Sequence, residues 1–142
     1  MIQKPIVIGS VGTGYGGYLH ANGYLHISGI PIRLKTICAR NPEKTEAFRA
    51  KYGYEQCCFD YDELVNDPEI DVIDLSVPPK YHVDYCIKAL RAGKHIICEK
   101  PLSGYFGKDG ETEDIGRTVR KADMWKEVEA KLSLLKSEIE KS

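Results

Sequence analysis

Apolar residues are concentrated in five short runs along this chain, and the runs alternate with longer stretches that carry helical spacing or helix-capping residues. The runs are rich in β-branched residues, which is typical of strands buried on both faces of a parallel sheet. Apolar residues three and four positions apart predict helices. The predicted strands are residues 5–11, 33–39, 56–59, 70–77 and 95–98, and the predicted helices are residues 16–27, 42–52, 61–66, 80–92 and 121–141.

Capping residues mark several of these boundaries. Asn41-Pro42-Glu43 provides an N-cap, a proline at the first helical position and an acidic residue in the first turn. Gly53 is expected to end the same helix, and Asp60 and Glu63 have the spacing of a capping box. Strands that alternate with helices predict βαβ units with right-handed crossovers. The sequence therefore predicts an α/β fold, a doubly wound parallel sheet with helices on both faces.

The first strand runs directly into a glycine-rich turn, Gly12-Thr13-Gly14-Tyr15-Gly16-Gly17. A strand, G-x-G-x-x-G and a helix in that order are the fingerprint of a Rossmann-type dinucleotide-binding turn. In that motif the first glycine permits the tight turn, the second lets the backbone approach a pyrophosphate, and the third lets the helix pack closely on the strand. The sequence therefore predicts that all six residues contact a dinucleotide. The alternative is a purely structural turn.

Polar candidates also follow the second, fourth and fifth predicted strands, and ligands of open parallel sheets bind at these carboxyl ends. After the second strand, an NAD site usually places an acidic residue that binds the ribose 2′-hydroxyl. Here Ala39 and Arg40 occupy that place, followed by Asn41, and a guanidinium matches a 2′-phosphate. The sequence therefore favours NADP over NAD, with Arg40 and Asn41 in the cofactor site. The alternative is a solvated arginine that tolerates both cofactors.

Composition excludes other classes of protein. The net charge of −1 favours neither nucleic acid nor an anionic membrane. No apolar run approaches the roughly 20 residues that span a membrane, and the N-terminus is not expected to be a signal peptide. The five cysteines show no C-x-x-C spacing, so we expect buried thiols in a reducing cytoplasm and no metal site. A vicinal Cys57–Cys58 disulfide or a metal site is the alternative, and the tyrosines outside the glycine turn form no recognisable stacking platform.

The motifs, in their order, resemble the N-terminal half of the Gfo/Idh/MocA oxidoreductases, the glucose–fructose oxidoreductase and inositol dehydrogenase family. The glycine turn is followed by His20, as in G-x-G-x-x-G-x-x-H, and residues 40–44, RNPEK, are similar to the family's stretch after the second strand. Pro78 and His82 form P-x-x-x-H. Residues 92–102, AGKHIICEKPL, match the most specific signature. The resemblance covers about residues 5–103.

That resemblance implies a dehydrogenase or reductase that moves a hydride between NADP or NAD and a sugar, cyclitol or similar polyol. It implies that Lys100 is catalytic and lies near the nicotinamide and substrate, where its charge can polarise a reacting hydroxyl or carbonyl. Glu99 is expected to orient its surroundings or to contact the nicotinamide-side ribose, and His20 either has a role or only packs the first helix. The other residues expected to bind the cofactor are Ser76, Val77, Pro78 and His82.

Two departures from the family pattern affect the domain prediction. Family members are much longer and carry a second domain with the substrate contacts and a D-x-x-x-H catalytic pair, which this sequence does not match. We therefore predict that residues 1–142 are a dinucleotide-binding domain cut before its last strand, without the substrate domain, and that this chain alone binds cofactor without turnover. Residues 104–121 read as a loop longer than the family's, either a cover over the site or an insertion.

The last predicted helix carries an apolar stripe, which we expect to pack on the sheet rather than to form a dimer helix. Besides the enzyme, two other functions fit parts of the sequence. One is a non-catalytic dinucleotide-binding or sensing module whose last helix joins a partner. The other is an S-adenosylmethionine methyltransferase, which is disfavoured because it has no use for Glu99-Lys100-Pro101. The stripe comprises Trp125, Val128, Leu132, Leu135 and Ile139.

Overall fold

The computed structural model describes residues 4–108 and 114–142 of the chain. Within these ranges the strands are β1 Ile6–Val11, β2 Ile32–Cys38, β3 Gln56–Cys58, β4 Val72–Leu75 and β5 His95–Cys98. The helices there are α1 Tyr15–Tyr24, α2 Pro42–Tyr52, α3 Tyr61–Val65, α4 His82–Arg91, α5 Ile115–Thr118 and α6 Lys121–Ile139. A 3₁₀ turn, Pro79–Tyr81, precedes α4.

The strands form a parallel sheet in the order β3-β2-β1-β4-β5. The chain moves outward from β1 through β2 to β3, and then returns past β1 to build β4 and β5 on its other side. This reversal at β1 is the Rossmann arrangement, so the predicted fold class is confirmed. Because the strands are parallel, their carboxyl ends share one edge of the sheet. The connections from β1 to α1, from β2 to α2 and from β4 to α4 all leave from that edge, where ligands of such sheets bind.

Two apolar clusters cover the two faces of the sheet. The first joins Ala21 of α1 and Phe48 of α2 to Ile37 of β2. The second joins residues of α3, α4 and α6 to β4 and includes Leu64, Ile73, Val83, Ile87 and Leu135. Because helices lie on both faces, β1 is buried from Val7 to Val11, which accounts for its continuous apolar sequence.

The capping residues predicted for α2 are confirmed at both ends of the helix. Asn41 Oδ1 accepts a hydrogen bond of 2.9 Å from the Lys44 amide, and Pro42 is the first helical residue. Gly53 ends the helix with a φ of 75°, a left-handed conformation that only glycine adopts without cost from a Cβ. These local signals fix where α2 begins, and therefore where the connection from β2 opens.

Several other boundaries differ from the prediction. Asp60 caps α3, but its carboxylate accepts from the Asp62 amide at 2.9 Å instead of the Glu63 amide that a capping box requires. β4 is shorter than residues 70–77 because the Ile70 amide is held in a turn by the Asp67 carbonyl, at 3.3 Å. The helix α1 ends at Tyr24, not residue 27. The predicted loop 104–121 contains the short helix α5, while its residues 109–113 lie outside the described residues.

The last helix does not pack as predicted. Within α6, which is described throughout, Leu135 is the one stripe residue that is buried, whereas Trp125 is 61% and Ile139 54% exposed. The helix packs against α4, where the Arg91 guanidinium donates to both Glu138 carboxylate oxygens at 3.0 and 3.2 Å. Leu135 reaches the cluster formed by α4, β4 and β5. A bidentate ion pair and one leucine therefore anchor α6, and the prediction that the whole stripe packs on the sheet is wrong.

The five cysteines are free thiols, so the vicinal disulfide is absent. Cys38, Cys58 and Cys86 are buried as predicted, whereas Cys57 and Cys98 are half-buried. Across residues 4–108 and 114–142, no group of three or more His, Cys, Asp or Glu side chains is arranged to hold a metal ion. None of the helices in those ranges combines the length and the apolar character needed to cross a membrane.

Acidification should weaken the docking of α6. Hydrogen bonds from Arg91 and Lys141 hold the pKa of Glu138 at about 2, below its ordinary value of 4.5. Because the pKa is lowered, the stability contributed by this carboxylate is complete above its ordinary pKa and is lost as the pH falls toward 2. Glu138→Gln should therefore lower the free energy of unfolding at neutral pH and flatten its pH dependence between about pH 5 and about pH 2, as measured by urea unfolding.

The matched control is Glu129→Gln, which changes an exposed carboxylate on the same helix and should leave both quantities unchanged. A Glu138→Gln variant with the wild-type pH profile would show that this carboxylate does not anchor α6.

Candidate functional site

The turn between β1 and α1 is packed so tightly that no other residue can replace its first glycine. Gly12 has a φ of 106°, and a Cβ at this position would lie 2.3 Å from the Ser76 carbonyl oxygen, in the loop after β4. The Gly12 amide donates to the Cys38 carbonyl at the end of β2, at 2.9 Å. The turn thus packs between the carboxyl ends of β2 and β4, as the glycine motif predicts.

The other two motif glycines have different surroundings. A Cβ on Gly17 would lie 2.2 Å from the Gly12 carbonyl oxygen, so this glycine permits close packing of α1 on β1. A Cβ on Gly14 would meet nothing within 4 Å. Gly14 is also the N-cap of α1, and no side chain in the described part of the chain caps the helix there. Packing therefore does not require a glycine at residue 14, whereas a ligand that approaches the first amides of α1 would.

A cavity of about 390 Å³ opens beside this turn, at the carboxyl ends of β1, β2 and β4. It brings together eight of the residues predicted to bind the cofactor, which lie in three separate segments of the sequence. Of the residues that line it in the described part of the chain, Arg40 alone carries a charge. The predicted residues in its wall are Gly12, Thr13, Gly14, Arg40, Asn41, Ser76, Val77 and Pro78.

Aromatic side chains form the remaining wall of the cavity, and sequence reasoning missed them. The rings of Tyr61 and Tyr85 stack with centroids 4.0 Å apart and planes at 4°, and Tyr81 lies 5.8 Å from Tyr85. Phe59, which follows β3, is half exposed. The interpretation that these tyrosines form no stacking platform is therefore wrong. A usable signal was present, since Tyr81 and Tyr85 are four residues apart at the start of a helix that leaves the carboxyl edge.

The other predicted residues lie outside that cavity. Tyr15 is 78% exposed and stacks on Tyr18 with ring centroids 6.3 Å apart. Lys100 is exposed at the end of the β5 connection, and its amide donates to Glu99 Oε2 at 3.2 Å. A Cβ on Gly16 would lie 3.5 Å from Glu99 Cγ, so the first turn of α1 lies directly over Glu99. The Glu99-Lys100 segment therefore adjoins the glycine turn at Gly16.

His82 connects two of the loops instead of lining the cavity. Its side chain is fully buried, with Nε2 2.8 Å from the Val77 carbonyl and Nδ1 2.9 Å from the Pro101 carbonyl. Val77 lies in the loop after β4 and Pro101 in the segment after β5, which contains a cis Lys100–Pro101 bond. His82 thus holds the two loops together.

A charged network lies under the first turns of α1. His20 Nδ1 is 2.8 Å from Asp74 Oδ1, and His20 Nε2 is 3.0 Å from Glu99 Oε1. The Tyr24 hydroxyl donates to Asp74 Oδ2 at 2.8 Å. Sequence reasoning left His20 between packing and function and did not single out Asp74 or Tyr24. The periodic signal was present, because His20 and Tyr24 are four residues apart on α1 and face the same strand end.

This network changes the acidity of its members. Burial lowers the pKa of His20, but the hydrogen bonds and charges of Asp74 and Glu99 outweigh it, so the pKa lies above the ordinary value of 6.5. The hydrogen bond from His20 is the largest influence on Glu99 and lowers the pKa of that carboxyl. Burial and the nearby charge of Asp74 raise the pKa of Tyr24 well above its usual range. The network therefore favours a protonated His20 beside an ionised Glu99.

A larger cavity, of about 550 Å³, lies on the other side of β5 and contains none of the predicted site residues. It separates β5 from α6 and is mainly apolar. Its wall includes Cys86, Leu90, Ile96, Leu102, Leu135 and Ile139.

Known proteins resemble this chain in sequence and in fold. A family model described as an oxidoreductase family with an NAD-binding Rossmann fold, GFO_IDH_MocA, matches residues 6–125. Levoglucosan dehydrogenase from Pseudarthrobacter phenanthrenivorans is 35% identical over 108 residues, which cover 71% of this chain and 27% of that protein. The uncharacterized oxidoreductase YrbE from Bacillus subtilis is 36% identical over 121 residues, which cover 84% of this chain and 34% of YrbE.

A solved structure of levoglucosan dehydrogenase in complex with NADH matches this chain with a TM-score of 0.66 at 32% identity. The match covers 70% of this chain and 29% of that one. The chain therefore spans between about a quarter and about a third of the length of these relatives.

Two glycines of the turn should respond differently to the same substitution. Gly17→Ala should lower the free energy of unfolding by about 3 kcal/mol, because its Cβ would meet backbone that cannot rotate away. Gly14→Ala should cost about 1 kcal/mol or less, the scale of exchanging glycine for alanine at an N-cap, because its Cβ would point into open space. Chemical denaturation of both variants beside the wild type measures the difference. Equal losses would show that Gly14 is also a packing glycine.

Proposed function

Since the chain belongs to the Gfo/Idh/MocA family of oxidoreductases, we propose that it is the dinucleotide-binding part of an enzyme that transfers a hydride between a nicotinamide cofactor and a sugar, cyclitol or similar polyol. Family membership also rules out the methyltransferase interpretation. The observation that carries the proposal is the open space in front of Gly14, at the start of α1 and at the mouth of a cavity lined from β1, β2 and β4. A pyrophosphate fits this space, because amides of a helix N-terminus without a side-chain cap bind anions.

The cofactor's adenosine half would lie against Arg40, Asn41 and the aromatic wall. A flat base fits beside the Tyr81 and Tyr85 rings, since aromatic faces stack on planar groups. Arg40 would lie next to the ribose, where its planar donors suit a 2′-phosphate, and Ala39 leaves that position without a carboxylate for a 2′-hydroxyl. NADP is therefore the proposed cofactor, with NAD as the alternative.

The nicotinamide half would pass Ser76, Val77 and Pro78 toward Glu99 and Lys100. The bound nicotinamide ring supplies the hydride chemistry, and the protein supplies position and charge. In this proposal the exposed Lys100 ammonium polarises the substrate hydroxyl or carbonyl, and Glu99 fixes the segment that carries it. Glu99 and Lys100 come from the segment that His82 connects to the loop after β4, so the two sides of this half of the site are joined by one side chain.

We propose that the substrate contacts and the proton-accepting group come from a second domain, as the family resemblance implies. The name of the relative levoglucosan dehydrogenase supports a sugar-like substrate. The exposed apolar side chains of α6 favour a second candidate, a non-catalytic module that binds a dinucleotide and joins a partner through that helix. The two candidates differ in one respect: oxidation of a sugar or polyol by the full-length parent supports only the first.

The 142-residue chain should bind NADP or NAD in calorimetric titration and show no steady-state turnover with a sugar and polyol panel. Gly14→Ala should bind at least about tenfold more weakly, because its methyl group would occupy the space proposed for the pyrophosphate. A folded Gly14→Ala variant that binds the cofactor with wild-type affinity would show that the pyrophosphate does not bind at this position. Measurable turnover by the chain alone would contradict the proposal that catalysis requires a second domain.

Arg40→Ala should distinguish the two cofactors. We expect it to weaken NADP binding by about 1–3 kcal/mol, the scale of a lost charge-assisted hydrogen bond, and to leave NAD binding nearly unchanged. Arg117→Ala, which removes the same charge from α5 outside the cavity, is the matched control and should alter neither affinity. Equal losses of NADP affinity and NAD affinity in Arg40→Ala would show that the guanidinium does not bind the 2′-phosphate.

A further inference from the structure

His20 joins two carboxylates that reach the carboxyl edge from different strands. Asp74 lies on β4, one residue before its end, and Glu99 follows the last residue of β5. The His20 ring lies between them, with Nδ1 2.8 Å from Asp74 and Nε2 3.0 Å from Glu99. Because His20 is part of α1, the bridge links the helix that begins at the glycine turn to the ends of two strands.

The two carboxylates differ in how firmly they are held. Asp74 is 1% exposed, and the Tyr24 hydroxyl occupies its second oxygen at 2.8 Å. The Glu99 side chain is 29% exposed, and apart from His20 it accepts one bond from its neighbouring amide, that of Lys100, at 3.2 Å. Asp74 is therefore a fixed anchor, and Glu99 is the member that can turn away.

Whether the bridge holds depends on the charge of the ring. A protonated imidazole donates both N–H groups and can serve both carboxylates, whereas a neutral imidazole donates one and presents a lone pair to the other. The charged and titratable groups around the ring are Asp74 from β4, Glu99 from the β5 connection and Tyr24 on α1, and the Ser76 hydroxyl lies 3.3 Å from Nδ1. Both carboxylates act to raise the pKa of His20 above its ordinary value.

We propose that protonated His20 is a positioning residue that holds Glu99 under the first turn of α1, so that the nicotinamide end of the site is complete only while His20 carries its proton. This inference rests on the proposed dinucleotide function. Glu99 lies directly below Gly16 of the glycine turn, and it also receives the Lys100 amide. Loss of the proton on His20 therefore releases the carboxylate that orders the segment bearing Lys100.

The direction of the pH effect follows from the raised pKa. The bridge is complete below the ordinary histidine pKa and is lost as the pH rises through the higher pKa of His20. Dinucleotide affinity should fall across the same interval. NAD is the suitable probe, because it lacks the 2′-phosphate, which itself titrates near pH 6.

The bridge is tested first without any cofactor. Histidine side-chain NMR of the 142-residue chain, assigned by the signal missing in His20→Gln, should give a midpoint for His20 above the ordinary histidine value of 6.5. A His20 midpoint at or below 6.5 would overturn the proposal.

The second test measures NAD affinity by calorimetry from well below to well above the measured midpoint. Wild type and the control His26→Gln should lose about tenfold in affinity across it, the scale of one charge-assisted hydrogen bond. His20→Gln should bind about tenfold more weakly at the low-pH end and show no change across the interval. Glu99→Gln should also be flat, which provides a second variant if His20→Gln does not fold.

The outcomes separate the two proposals. A pH dependence that survives in His20→Gln or Glu99→Gln, or a flat wild-type profile, would overturn the positioning role while leaving the dinucleotide site intact. Absence of NAD and NADP binding at every pH would refute the proposed function, and the NMR midpoint would still decide whether His20 carries the bridging proton.

Discussion

The rest of the site depends on a close backbone contact around Gly12. A Cβ on Gly12 would lie 2.3 Å from the Ser76 carbonyl oxygen, and a Cβ on Gly17 would lie 2.2 Å from the Gly12 carbonyl oxygen. The end of β1, the first turn of α1 and the loop after β4 therefore meet through backbone atoms, without side chains between them. Contacts between backbone atoms leave little freedom, because they cannot relax by a change of rotamer. The direction of α1 is fixed by this contact, and with it the direction in which its first amides point.

The same contact places the charged network. His20 lies one turn along α1 from Gly16 and Gly17, so the approach of the helix to β1 also sets the imidazole between Asp74 and Glu99. His82 connects the loop after β4 to the segment after β5, through the Val77 and Pro101 carbonyls. The carboxyl ends of β4 and β5 are thus connected twice, once through the carboxylates of Asp74 and Glu99 and once through backbone acceptors.

Features fixed by neighbouring residues were predictable from the sequence. The strands β1, β2 and β5 lie within one residue of their predicted bounds, because each is a short run rich in β-branched residues that is bounded by turn residues. The N-cap at Asn41 and the helix end at Gly53 depend on bonds within one turn. The glycine turn combines both kinds of signal. A sequence pattern is therefore sufficient where the contact that decides a conformation is local.

Features that depend on distant contacts were not predictable. The Tyr61–Tyr85 stack joins residues from α3 and α4, and the His20 bridge joins α1 to two strands. Local spacing shows which side chains share one face of a helix, but it does not show which partner they meet, because those contacts follow from the sheet order. The packing of the apolar stripe of α6 was predicted wrongly for the same reason. Helical spacing shows which side of a helix is apolar and does not show what covers it. Leu135 is buried against the core, whereas Trp125 is exposed.

The two edges of the sheet differ in how their charges are used, and this difference decides where an anionic cofactor can bind. At the amino edge Lys35 is buried and lies 2.7 Å from Asp67 and 3.1 Å from Glu69, and Arg33 pairs with Glu55 and Glu69. Both cations are paired with neighbouring carboxylates and therefore offer little to a ligand.

At the carboxyl edge the cations Arg40 and Lys100 are exposed, and the amides of the first turn of α1 add the positive end of the helix dipole. The carboxylates there, Asp74 and Glu99, both contact the His20 ring. An anion therefore meets a favourable field at this edge and a self-compensated one at the other. A protonated His20 that orders Glu99 also offsets part of the negative charge that would otherwise oppose a phosphate beside Gly14.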